Sequence, residues 1–222
     1  MDPKLAVIFD VDGVLVDSYA PHFESWRAAG RELGFEMTEA QFVFTFGRTS
    51  RDIIAHFWPH LAGSPEEVAS VDRRKEAAYR AIISEQFPTM GGAIELIDEL
   101  AAAGFVLAVG SSAPTENVAL TIEKLGKADK FAGVVTGSDV THGKPDPQIY
   151  LLASERIGVP PGRCLVVEDA PVGITAAKAA GMACIGLASA GHEVESLNHA
   201  DLVVRSLDEI SAPLIHKLIL QR

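Results

Sequence analysis

The stretch Leu5-Ala6-Val7-Ile8-Phe9-Asp10-Val11-Asp12-Gly13-Val14-Leu15-Val16-Asp17-Ser18 decides how this chain folds. Its first five residues form an apolar run rich in β-branched and aromatic side chains, as a strand buried on both faces of a parallel sheet requires. Asp10 and Asp12 follow at the C-terminal end of that run, where open α/β sheets bind their ligands. Gly13 permits a tight exit from the strand. Two acids so close repel each other unless a cation or a proton lies between them. The pair therefore reads as a metal site or an acid/base pair, although taken alone a solvated acidic turn would explain it equally well.

Three further segments decide between these readings. Phe105-Val106-Leu107-Ala108-Val109-Gly110 is a second short apolar run, and it delivers Ser111 and Ser112. Gly143-Lys144-Pro145-Asp146-Pro147 holds a basic residue just before a helical stretch from Gln148. Cys164-Leu165-Val166-Val167 is a third apolar run, and it delivers Glu168 and Asp169. In this order and placement, the segments resemble the four motifs of the haloacid dehalogenase-like superfamily. The match is to its branch of β-phosphoglucomutase-like enzymes and small sugar phosphatases. Asp10 and Asp12 match the first motif, Ser111 the second, Lys144 the third, and Glu168 with Asp169 the fourth. The resemblance runs from about residue 4 to about residue 190.

The pattern predicts an α/β fold, a Rossmann-like, mostly parallel sheet with helices on both faces. Residues 1–16 and 89–222 are expected to form this core, with an all-helical insertion at 17–88. In the insertion the chain reads as helices from Pro21 to Leu33, Thr38 to about Phe44, Ser50 to about Leu61, and Ser64 to about Gln86. Thr38 with Gln41 resembles a capping box. Ser64-Pro65-Glu66-Glu67 places a cap, a first-turn proline and acids where the helix dipole favours them. Helices and strands then alternate to a last helix from about Leu207 to Leu220. By resemblance the insertion is a C1-type cap.

The resemblance implies a phosphoryl transfer. Asp10 would attack phosphorus to form an aspartyl-phosphate, which needs its own charge and that of the phosphate to be offset, as Mg²⁺ does. Asp10, the Asp12 carbonyl and Asp169 would hold the ion, with Glu168 as a further or outer ligand; these are the hard oxygen donors that Mg²⁺ selects. Asp12 would be the general acid and then the general base. In this superfamily dehalogenases lack an Asp at that position and phosphonatases carry a small residue there, so the expected substrates are phosphate esters. Ser111 and neighbouring N–H groups would bind the phosphoryl oxygens, and Lys144 would neutralise charge. Bland alternatives are a helix-capping role for Ser111 and for Glu168-Asp169. Gly143-Lys144 is not a nucleotide P-loop, because the preceding glycines and the following hydroxyl are missing.

Substrate choice is expected on the insertion and the loop after the second strand. The candidates are His22, Arg51 with Arg48 as the alternative, Lys75, Ser112 and Asn117. Against these, His22 beside Phe23 and Trp26 reads as a packing residue, and Lys75 in Arg73-Arg74-Lys75-Glu76 reads as a solvated helix face. Ala113-Pro114-Thr115 replaces the basic residue that β-phosphoglucomutases place near the second phosphate. The resemblance therefore favours a Mg²⁺-dependent phosphatase of a small phosphorylated sugar or polyol over a β-phosphoglucomutase. A non-catalytic phosphate-binding protein would need a damaged motif, and none is damaged. The stretch from Ala188 to His199 has no role beyond connecting two strands.

Composition sets outer bounds. The 222 residues are 48% hydrophobic and 22% charged, as in ordinary globular enzymes. Thirty acids against 19 Lys and Arg give a net charge of −11, which argues against nucleic acid or an anionic membrane as partner. Cys164 and Cys184 each lie in an apolar run and read as inert thiols in a reducing compartment. No leader pattern or bilayer-length apolar stretch is seen, so a cytoplasmic protein is expected, and an insertion large enough to shield the site makes a monomer the default.

Overall fold

Ala6–Phe9 form the first strand, β1, with every side chain buried. In the computed structural model, which describes residues 4–45, 50–189 and 194–221, it is a central strand of a six-stranded sheet. The other strands are β2 (Val106–Gly110), β3 (Phe131–Val135), β4 (Cys164–Glu168), β5 (Ala183–Leu187) and β6 (Leu202–Val204). Their order is β3-β2-β1-β4-β5-β6, and every pairing is parallel. The fold is thus the Rossmann-like α/β class expected. Chain order reverses direction between β1 and β4, which makes the crevice at their C-terminal ends the switch point where such sheets bind ligands. Phe9 pairs with Val109 on one side and Val167 on the other, so Asp10, Gly110 and Glu168 leave the sheet at one level.

The chain divides into two compact units, one of Met1–Asp17 with Pro88–Arg222 and one of Ser18–Phe87. In the first, helices Ala93–Ala102, Thr115–Leu125, Gln148–Ile157, Pro171–Ala179 and Ala212–Leu220 accompany the sheet. Its core includes Ile8, Ala108, Val166, Cys164, Cys184, Tyr150 and Ile174, all essentially inaccessible. Each large apolar side chain buried in this way stabilises the fold by about 1.5–3 kcal/mol.

The second unit is all helical: α1 (Tyr19–Glu32), α2 (Glu39–Val43), α3 (Ser50–Phe57) and α4 (Pro65–Glu85). Continuing in chain order, the helices of the first unit are α5 to α9. Trp26, Met37, Phe42, Ile53, Ile54, Trp58 and Val71 form the core of the second unit. The Thr38–Gln41 capping box is formed in both directions, and Ser64 accepts from the Glu67 N–H. No helix of the described residues is long and apolar enough to cross a membrane.

Two helices differ from expectation. The helix expected from Ser50 to about Leu61 stops at Phe57, because Pro59 has no N–H to continue it. The last helix is broken in two. Ser206 caps a single 3₁₀ turn at Leu207–Glu209, and α9 begins anew at Ala212, with Pro213 in its first turn. The Ala212 N–H instead donates to Glu99 Oε1 at 2.8 Å.

The edge strand β3 ends in a second capping box. Thr136 donates to Asp139 Oδ2 through its backbone N–H and its hydroxyl, at 2.8 and 2.9 Å. Arg156 bonds Asp139 Oδ1 at 2.6 Å and also covers the Val134 carbonyl. The Arg156 guanidinium, followed by the Thr136 N–H, lowers the Asp139 carboxyl from 3.8 to about 2. A carboxyl depressed on folding stabilises above its unfolded value and loses that effect as pH falls through its folded one. Asp139→Asn should lower the unfolding free energy by about 1 kcal/mol at pH 7. In urea titrations the difference from wild type should shrink as pH falls from about 4 to about 2.

Candidate active site

The backbone after β1 is wound into one tight loop. The Val11 carbonyl accepts from the N–H groups of Val14, Leu15 and Val16 at 2.8–3.2 Å, and Gly13 N–H bonds the Val16 carbonyl. Gly13 holds φ +72°, and a Cβ there would lie 1.8 Å from Asp169 Oδ2. Glycine at this point therefore lets the carboxylate that follows β4 lie directly against the turn that follows β1. Ser189 Oγ donates to the same oxygen at 2.9 Å.

Lys144 lies at the centre of the site. Its Nζ is 2.6 Å from Asp10 Oδ1 and 2.6 Å from Glu168 Oε1, with all three side chains nearly inaccessible. Burial alone would lower the Lys144 ammonium, but Asp10 and Glu168 more than reverse this and raise it above the ordinary lysine value. Burial raises the Asp10 carboxyl from 3.8 to about 7, and Glu168 and Asp12 add to the rise against Lys144. Asp169 is raised well above the carboxylate range by burial, by Glu168 and by Asp10. One ammonium faces three enclosed carboxylates, so the site has an unmet demand for positive charge.

Glu168 is fully engaged. Oε1 accepts from Lys144 and from the Tyr150 hydroxyl at 2.9 Å, and Oε2 accepts from the Ala170 N–H at 2.7 Å. A Cβ at residue 173 would fall 1.6 Å from Oε1, so Gly173 in α8 makes room for this carboxylate. The helix-capping alternatives are corrected by these bonds. Ala170 is the N-cap of α8, and Pro114 that of α6. Ser111, at 1% exposure, instead accepts from the Ala113 N–H at 3.1 Å and closes the turn after β2.

Asp10, Asp12, Ser111, Lys144, Glu168 and Asp169 thus gather around the C-terminal ends of β1, β2 and β4. Ser112 is exposed on the turn beside them, and Asn117 is buried in the first turn of α6. A hard divalent cation would find the Asp10 and Asp169 carboxylates and the Asp12 carbonyl as donors, and the unmet demand for positive charge fits such an ion. Among the described residues no three His, Cys, Asp or Glu side chains cluster as a metal centre. Two carboxylates and a backbone carbonyl fall short of three such side chains, and Glu168 is held by Lys144, Tyr150 and the Ala170 N–H.

In the helical unit, Lys75 is not on a solvated face, as its neighbours Arg73 and Arg74 suggested. It is 4% exposed, with Nζ 2.7 Å from Glu76 Oε1 and 2.9 Å from His22 Nδ1. It lies over the rings of Trp26 and Tyr79, at 5.6 and 5.5 Å, and His22 stacks on Tyr79 at 4.2 Å. Cation–π contact and Glu76 together offset the cost of enclosing the ammonium. Arg51 is exposed in the first turn of α3, and Arg48 lies outside the described residues.

Sequence reasoning missed Tyr150, Glu76 and Ser189. The last falls in the stretch expected only to connect strands, where it instead holds Asp169. Lys144→Met should leave Asp10 and Glu168 facing each other without a cation. Urea unfolding at pH 7 in metal-free buffer should show a loss of about 3 kcal/mol or more.

A model of the haloacid dehalogenase-like hydrolases matches residues 5–181. The chain is 33% identical over 210 residues to validoxylamine A 7'-phosphate phosphatase of Streptomyces hygroscopicus subsp. limoneus, covering 94% of this chain and 96% of that one. It is 32% identical over 206 residues to hexitol phosphatase A of Escherichia coli, with 92% of each covered. Among solved structures, β-phosphoglucomutase from Clostridium difficile superposes with a TM-score of 0.85 at 25% identity, over 98% of both chains.

Proposed function

This chain belongs to the haloacid dehalogenase-like hydrolase family and is a phosphoric monoester hydrolase; we propose that it dephosphorylates a small sugar or polyol phosphate through an aspartyl-phosphate on Asp10, with Mg²⁺. The observation that carries this reading is the Lys144 ammonium fixed 2.6 Å from the Asp10 carboxylate at the sheet's switch point. The similarity to hexitol phosphatase A and to validoxylamine A 7'-phosphate phosphatase supports the substrate class.

In this mechanism Asp10 attacks phosphorus in line with the ester oxygen. Lys144, already protonated, and the Ser111 hydroxyl with the Ser112 N–H bind the phosphoryl oxygens as their charge redistributes. Asp12 gives its proton to the departing sugar oxygen as the P–O bond breaks. As a carboxylate it then takes a proton from water, whose oxygen bonds phosphorus while the bond to Asp10 breaks and phosphate leaves. Asp10 and Asp169, with the Asp12 carbonyl, would hold Mg²⁺, which when bound supplies the positive charge that keeps Asp10 ionised beside a phosphate dianion. The helical unit, by the family resemblance, is the cap that selects the substrate. His22, Lys75 and Arg51 are its candidate contacts.

A second reading, β-phosphoglucomutase, draws on the likeness to the clostridial mutase. Product analysis separates the two. Phosphate release from hexose, pentose and polyol phosphates should require Mg²⁺, vanish with EDTA, and fall by about 10³-fold or more in Asp10→Asn. Conversion of β-glucose 1-phosphate to the 6-phosphate without phosphate release, when primed with a bisphosphate, would replace the phosphatase by the mutase.

A further inference from the structure

We propose that Tyr150 is a positioning residue for this chemistry, acting through Glu168 to hold the Lys144 ammonium on Asp10. The proposal rests on the phosphoryl-transfer reading above. Tyr150, in the first turn of α7, is completely buried. Its hydroxyl donates to Glu168 Oε1 at 2.9 Å, the same oxygen that Lys144 reaches at 2.6 Å. Its ring lies 4.9 Å below the Lys144 Nζ. One side chain therefore constrains the ammonium twice, by the π-face beneath it and by fixing the carboxylate beside it.

The space for this ring comes from β2. A Cβ at Gly110 would meet the Tyr150 ring at 3.1 Å and Ile8 at 3.3 Å. Gly110 ends the strand that delivers Ser111, so two turns of the site meet on one ring. Without the hydroxyl, Glu168 Oε1 keeps only Lys144 as a partner. The carboxylate can then turn about its side-chain bonds and carry the ammonium away from Asp10. The lost interaction is a hydrogen bond to a charged group. It matters to catalysis only to the extent that the transition state needs Lys144 in place.

The test is Tyr150→Phe, which keeps the ring and removes one oxygen. With the best substrate of the phosphate-ester panel, kcat should fall about tenfold while KM stays within about twofold. The melting temperature should fall by about 5 °C with the fold retained, as loss of a buried hydrogen bond to a charged group requires, and a crystal structure should show Lys144 Nζ withdrawn from Asp10. A kcat within twofold of wild type, a change confined to KM, or a fall in kcat with Lys144 unmoved would each overturn the proposal. Gly110→Ala, which pushes on the ring from β2, should reproduce the kcat loss. The double variant should be no slower than Tyr150→Phe alone, and additive losses would contradict a shared route through Tyr150. If the wild type releases no phosphate from any ester, the phosphatase reading fails. The position of Lys144 in the two variant structures then decides the proposal: displacement supports it, and an unmoved Lys144 overturns it.

Discussion

Everything at the centre of this protein depends on one ammonium group enclosed between two carboxylates. Lys144 reaches Asp10 from one side and Glu168 from the other, and those two acids end adjacent strands β1 and β4. Enclosing any of the three charges alone would cost several kcal/mol, so each is tolerable only because the others are in place. The arrangement also leaves an excess of negative charge, with Asp10 raised to about 7 and Asp169 higher than a carboxylate's usual range. A site built in this way is poised to take up positive charge. That is the property a carboxylate nucleophile needs before a phosphate dianion can approach it.

The surrounding fold supplies the positions. Parallel pairing of three fully or nearly fully buried strands brings Asp10, Gly110 and Glu168 to one level at the switch point, with Ser111 the next residue after Gly110. The remaining placement is steric. Gly13 and Gly173 leave room for Asp169 and Glu168 at distances that no side chain could share. Hydrogen bonds from Ser189, Tyr150 and the Ala170 N–H then fix those carboxylates. Strand ends thus bring the charged groups together, and small residues with neutral donors orient them.

The sheet, its parallel direction and the four motif segments were legible in the sequence because each rests on a short-range pattern. Apolar runs of four to six residues ended in polar side chains at β1, β2 and β4, and the Thr38–Gln41 box carried its own spacing. The contributions of Tyr150 and Ser189 were not legible. Their partners, Glu168 and Asp169, lie 18 and 20 residues away, and no local pattern marks such a pair. The enclosure of Lys75 was hidden for a related reason. In Arg73-Arg74-Lys75-Glu76 the charges look uniformly solvated, and only the packing of α1 beside α4 encloses one of them under Trp26 and Tyr79. The break at Ile210-Ser211 was readable in principle from Pro213, whose preference for a first turn argues against one continuous helix.

The most direct test of the account is to trap the covalent intermediate. Enzyme mixed with a labelled phosphate-ester substrate and Mg²⁺ would be quenched in acid within one turnover, digested, and its peptides sequenced by mass spectrometry. The account predicts phosphate on Asp10, absent from Asp10→Asn. Full release of labelled phosphate with no label on any peptide at any quench time would contradict it, and would make the aspartate a base or a ligand for direct attack by water.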